Sequence, residues 1–193
     1  QPAEIQSFMQ RYAGSYQEDR MRNDWLLLLG QRRNWAQFAE QHPAYRMSDD
    51  REVRCYALLI DTLKGTAPAT VADDVRSNWY AIRDADDGCT TAAKAFLDSG
   101  HLRSEQVWQR ARLAMESNRP AVAAQAVQLL NPDWAPMVTT VAADPVRYHL
   151  ARTRPETEST SFSLAELEET VARELIGVQA SVSLGELRSM RVF

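Results

Sequence analysis

Thiols are the most reactive side chains this chain owns, and it has two, Cys55 and Cys89. A cysteine pair can bind a metal, form a disulfide, supply a nucleophile or simply fill a core. Zinc would need histidines to complete the ligand set. His42, His101 and His149 stand far apart, form no H-x-x-x-H pair and lie at no ligand spacing from a cysteine, so no metal site is expected. The thiols are 34 residues apart, one early in REVRCYALLIDTLKG and the other early in CTTAAKAFLDSG. Each sits near the start of an expected helix, with one helix between. In a stack of helical hairpins such elements run parallel with their first turns level, so the sulfurs can meet. A bond there would restrict the unfolded chain by about 3–4 kcal/mol in the loop-entropy picture. Two buried free thiols in a reducing compartment fit the spacing equally well.

The acidic residues are the next candidates for chemistry. Glycoside cleavage needs carboxyl groups placed across a cleft. Glu166, Glu168 and Glu169 read instead as a solvated helix face, and Asp84, Asp86 and Asp87 as charges that complement the dipole of the helix they precede. Tyr12, Trp25 and Trp108 recur at helical spacing and read as core rather than as sugar-stacking platforms. The chain contains no Gly-rich phosphate loop, H-E-x-x-H, G-x-S-x-G or C-x-x-C. The expectation is therefore no catalytic residue and no cofactor.

These residues need elements to position them, and nearly every stretch reads as helix. Ile5, Phe8, Met9 and Tyr12 share a face of 3–13, with Gly14 as its C-cap; Met21, Trp25, Leu28 and Leu29 share a face of 17–32. Asn34 caps a short helix over 34–41 that stops before Pro43, and Asp49 or Asp50 caps 51–64, where Val53, Tyr56, Ala57, Ile60 and Leu63 recur. Further helices are expected over 70–82, 89–99, 104–117 (capped by Ser104), 120–131, 133–141, 144–152, 164–176 and 184–191. Alanines such as Ala57, Ala92, Ala93, Ala111, Ala123, Ala124 and Ala126 allow close helix approach. The expected fold is all-α: a superhelix of short antiparallel helical hairpins, U-shaped or ring-like. Residues 1–152 form the superhelical domain, 153–162 a polar loop, and 163–193 its continuation. Leu184, Leu187, Met190, Val192 and Phe193 are expected to leave an apolar edge there.

Composition narrows the function classes. Apolar residues make up 45% and charged residues 25%, as in ordinary globular domains. A net charge of −4 gives no electrostatic footprint for nucleic acid or anionic lipid. No apolar run approaches the roughly 20 residues of a membrane span, and the opening residues carry no signal-peptide pattern.

Three blocks carry a resemblance: FMQRYAGSYQEDRMRNDWLLLLGQRRNWAQFAEQHP, DDREVRCYALLIDTLKG and CTTAAKAFLDSGHLRSEQVWQRARLAMESNRPAVAAQAVQLL. Over about residues 7–131 they resemble the N-terminal superhelical domain of the soluble lytic murein transglycosylases. The resemblance implies a periplasmic location, peptidoglycan glycan strands as partner, and a disulfide between Cys55 and Cys89. It also implies a separate C-terminal catalytic domain that cleaves between N-acetylmuramic acid and N-acetylglucosamine to give 1,6-anhydro products without a cofactor. The Glu-Ser dipeptide of that domain is echoed by Glu158-Ser159, but no Gly-Leu-Met-Gln stretch follows, so the pair is not expected to be catalytic. The resulting expectation is a non-catalytic scaffold; a stand-alone helical-repeat adaptor for a protein or peptide is the alternative.

Overall fold

The computed structural model describes residues 2–64 and 68–144. Within them the chain is all-helical: α1 (Pro2–Arg11), α2 (Tyr16–Gln31), α3 (Trp35–Gln41), α4 (Arg51–Leu63), α5 (Pro68–Ala81), α6 (Gly88–Asp98), α7 (Ser104–Glu116), α8 (Pro120–Val127) and α9 (Ala135–Ala143). Short 3-10 turns occupy His42–Ala44 and Pro132–Trp134. The expected helices over 144–152, 164–176 and 184–191, the acids Glu158, Glu166, Glu168 and Glu169, and the apolar set from Leu184 to Phe193 lie outside the described residues.

Helix starts follow local side-chain chemistry. Ser15, Asn34 and Asp50 each turn a side-chain oxygen onto a first-turn amide, satisfying donors that have no partner inside the helix. Ser104 does not cap α7; it is the first helical residue. Arg103 holds the cap position, and the Gln106 side chain accepts from its amide at 2.7 Å. Three helices end alike. Arg33, Gly100 and Asn118 adopt left-handed backbone at φ 56°, 75° and 55°. In each case the amide of the next residue reaches back to the carbonyl of Leu29, Phe96 or Ala114. Glycine takes this conformation freely, whereas arginine and asparagine pay a steric cost.

The described residues form two compact units: one up to Ile82 plus Asp86–Leu102, the other Arg83–Ala85 plus the residues from Arg103 on. In the first, α4 packs against both α5 and α6, and α5 against α6. Trp25, Leu26, Leu29, Phe38, Val53, Tyr56 and Ile60 form one core cluster between α2, α3 and α4. Two expected core residues stand outside: Tyr12 is 43% and Leu63 64% exposed. Tyr12 follows the last residue of α1 and rests on the Phe8 ring, with centroids 4.6 Å apart. In the second unit α8 packs against both α7 and α9. Its core is alanine- and valine-rich, with Ala111, Ala123, Val127 and Val138 fully buried and Trp108 stacked on Trp134.

Cys55 and Cys89 are joined as a disulfide with Cα atoms 4.8 Å apart, both side chains fully buried. The bond ties the N-terminal turns of α4 and α6, with α5 between them in sequence. A double Cys55→Ala/Cys89→Ala variant should lose about 3–4 kcal/mol of unfolding free energy by urea titration, and the oxidised native protein should titrate no free thiol. A loss below about 1 kcal/mol would mean that the bond constrains nothing the packing does not already fix.

Close approach governs the helix pairs as well. A Cβ on Gly30 would lie 2.3 Å from the Tyr56 ring, and one on Gly88 would lie 2.6 Å from the Glu52 carbonyl oxygen. Alanine is the better helix former by about 1 kcal/mol. Gly30→Ala should nevertheless destabilise by about 1–3 kcal/mol, because the buried Tyr56 ring has no room to retreat. A stabilised variant in urea denaturation would refute this packing argument.

Candidate functional site

Three polar clusters in the first unit hold groups capable of chemistry. The first surrounds the disulfide. Glu52, in the first turn of α4, turns its carboxylate outward to α6, where Oε1 accepts from the amides of Asp87 and Gly88 at 3.2 Å each. Asp86 Oδ1 accepts from the Cys89 amide at 2.6 Å. Asp86 thus serves the α6 N-terminus as the sequence suggests, but the other helix supplies a second carboxylate. Asp87 is diverted: it takes a bidentate ion pair from Arg33 and a hydrogen bond from the Tyr56 hydroxyl. Arg33 also donates to Thr91 Oγ1 at 2.9 Å and lies over the Trp35 and Tyr56 rings. Partial burial pushes the Asp87 carboxyl up, yet the hydrogen bonds from Arg33 and Tyr56 outweigh it and hold it below the ordinary carboxylate value. Burial, followed by the bond to Asp87, pushes the Tyr56 phenol up. Such a locked, mutually neutralised set orients helices; it offers no acid or base to a substrate. Asp84 belongs to the other unit, where its carboxylate accepts from Arg119 at 2.8 Å.

The second cluster is buried at the α1–α2 turn. Glu18 accepts from the Gly14 amide at 2.8 Å and from Arg22 at 2.5 Å. The Arg22 hydrogen bond, then that from Gly14, holds its carboxyl below the ordinary value. Asp19, 2% exposed, accepts from the backbone amides of Arg46 and Met47 at 2.9 and 2.7 Å. These bonds pin the segment that links α3 to α4.

The third cluster depends on that pinned segment. A groove of about 230 Å³ runs between it and the outer face of α4, lined by His42, Tyr45, Ser48, Asp50, Val53, Arg54, Ala57, Leu58 and Asp61. Val53, Ala57 and Leu58 give it an apolar floor. His42 stacks on Phe38, centroids 5.5 Å apart and planes within 17°. Burial lowers the imidazole pKa, against the pull of Asp61 and with the push of Lys64, so the ring is neutral at pH 7. Tyr45 donates to Asp49 at 2.7 Å, and burial first, then that bond, pushes its phenol up. Asp50 is committed to the α4 cap and to Asn23. Ser48 holds a left-handed backbone at φ 49°, a strained conformation for a residue with a Cβ. Arg54, Asp61 and the His42 ring nitrogens have no hydrogen-bond or ion-pair partner among the described residues. An apolar floor with a few convergent polar groups is the usual make-up of a small-ligand site.

The structure bonds Cys55 to Cys89. Trp25 and Trp108 are core residues, at 3% and 8% exposure. Among the described residues no three His, Cys, Asp or Glu side chains converge as metal ligands, and no helix is long and apolar enough to cross a membrane. The groove was not legible from spacing. HPAYRMSDD signals a loop, but nothing local says that this loop returns to α4. No family model, curated protein or solved structure matches the chain.

His42 gives the groove a pH signature. Its folded pKa is depressed, so between that value and the unfolded value of about 6.5 the unfolded chain binds more protons. This contribution to stability is complete above the unfolded pKa, falls as pH drops and is gone below the folded pKa. Urea denaturation at about pH 7.5 and about pH 5 should show a smaller acid loss in His42→Gln than in the wild type. Equal losses would show that His42 titrates alike in both states.

Proposed function

We propose that the chain is a non-catalytic helical scaffold, the superhelical domain of a periplasmic lytic transglycosylase. In this reading stacked hairpins position peptidoglycan glycan strands beside a neighbouring catalytic domain, which cleaves them to 1,6-anhydro products. The observation that carries it is the buried disulfide linking a helix to the next but one within an all-helical unit. Such bonds belong to oxidising compartments, and a helix that packs on both its neighbours is the local pattern from which a hairpin superhelix grows. The resemblance of residues 7–131 supplies the family. The carboxylates around the disulfide and at the α1–α2 turn are engaged with backbone amides and in ion pairs, which suits a positioning role better than acid–base chemistry.

A stand-alone helical-repeat adaptor that binds a peptide is the second reading, and the groove along α4 favours it. Sedimentation with purified sacculi separates the two. The scaffold should co-sediment with sacculi and release no anhydro-muropeptides by mass spectrometry. Failure to co-sediment would remove the cell-wall reading. Turnover by the chain alone, abolished by Glu158→Gln, would show that Glu158-Ser159 is catalytic after all.

A further inference from the structure

We infer that the groove between the 42–50 segment and α4 binds a short zwitterionic peptide of about three residues, its carboxylate on Arg54 and its ammonium on Asp61. The inference does not depend on the cell-wall reading.

Arg54 and Asp61 both line the groove, seven residues apart on α4. That places them on one face, about 10 Å apart along the axis. The separation is too great for them to neutralise each other, and neither has an ion-pair partner among the described residues. Asp50 keeps its negative charge in the groove, but its oxygens are taken by the Glu52 and Val53 amides and by Asn23, and Lys64 makes no ion pair among the described residues. The groove therefore presents a cation, an apolar floor and an anion in line. An extended peptide gains about 3.3–3.6 Å per residue, so the charged ends of a tripeptide span about the same distance. His42 lines the groove with Asp61, has no hydrogen-bond partner among the described residues, and can donate to or accept from a peptide group. The volume, about 230 Å³, falls below the range of drug-sized pockets, which limits the occupant to a few small residues.

The wall is set before any ligand arrives. Asp19 fixes the Arg46 and Met47 amides from beneath, Asp50 fixes the start of α4, and Ser48 is held in a strained backbone between them. Strain maintained beside a groove with unpaired charges is the pattern of a binding edge, where preorganisation lowers the entropic cost of association.

The test is an amide-NMR titration of the full chain with Ala-Ala-Ala and with its N-acetylated, C-amidated form. Shifts should cluster at residues 42–61 with the free tripeptide, and each blocked end should weaken binding up to about fivefold, as expected for exposed charge pairs. Arg54→Ala and Asp61→Ala should each do the same while circular dichroism stays unchanged. The charge-swapped double variant Arg54→Asp/Asp61→Arg keeps both charges and their spacing, and should bind the peptide reversed. No shifts in this region, equal binding of the blocked peptide, or loss of binding in the swapped variant would each overturn the proposal.

Discussion

The N-terminal turns of α4 and α6 come closer than two helices with ordinary side chains could, and much of the first unit depends on that contact. Gly88 permits it, since any Cβ there would strike the Glu52 backbone. The Cys55–Cys89 bond makes it permanent. Glu52 then satisfies two amides at the α6 N-terminus that α6 cannot satisfy itself. Two positive helix ends brought together would repel; the carboxylates of Glu52, Asp86 and Asp87 at the junction offset that field. Tyr56 and Arg33 carry the constraint outward, the first to the α2–α4 core and the second to the end of α2.

A second constraint, nearly independent of the first, works at the N-terminal end of α2. Burying Asp19 would be costly for a carboxylate without partners. Two backbone amides of the 45–50 segment receive it, so the desolvation cost is offset by fixing a loop. The loop in turn sets the spacing between His42 and α4. The groove is thus a consequence of a buried charge more than 20 residues away in sequence, and Arg54 and Asp61, which line it, have no ion-pair partner among the described residues.

Local chemistry was readable in the chain. The caps at Asn34 and Asp50, the stops near Gly14 and Gly100 and the buried faces of α4 to α7 follow from side-chain type and helical spacing. Bonds that cross elements were not. Glu52 looks like any first-turn acid, and nothing in REVRC says that it caps a different helix. Arg33 in a left-handed conformation is hidden because only its partners Asp87, Thr91 and the Gly30 carbonyl make that conformation worth its strain. Leu63 fits the apolar face of α4 by spacing yet stands exposed as the last residue of the helix. The cysteines lie between these cases. Their spacing allowed the bond, while the alternative of two free thiols was excluded only by the geometry.

The α4–α6 junction should act as one cooperative fastening for the first unit. Amide hydrogen exchange on the wild type and on Cys55→Ala/Cys89→Ala tests it directly. If the junction holds the unit together, protection should fall in common across the buried cores of α2, α4 and α6, while the amides of α7 to α9 keep their rates. Faster exchange confined to the first turns of α4 and α6 would contradict the account, because the bond would then fasten only the ends it joins.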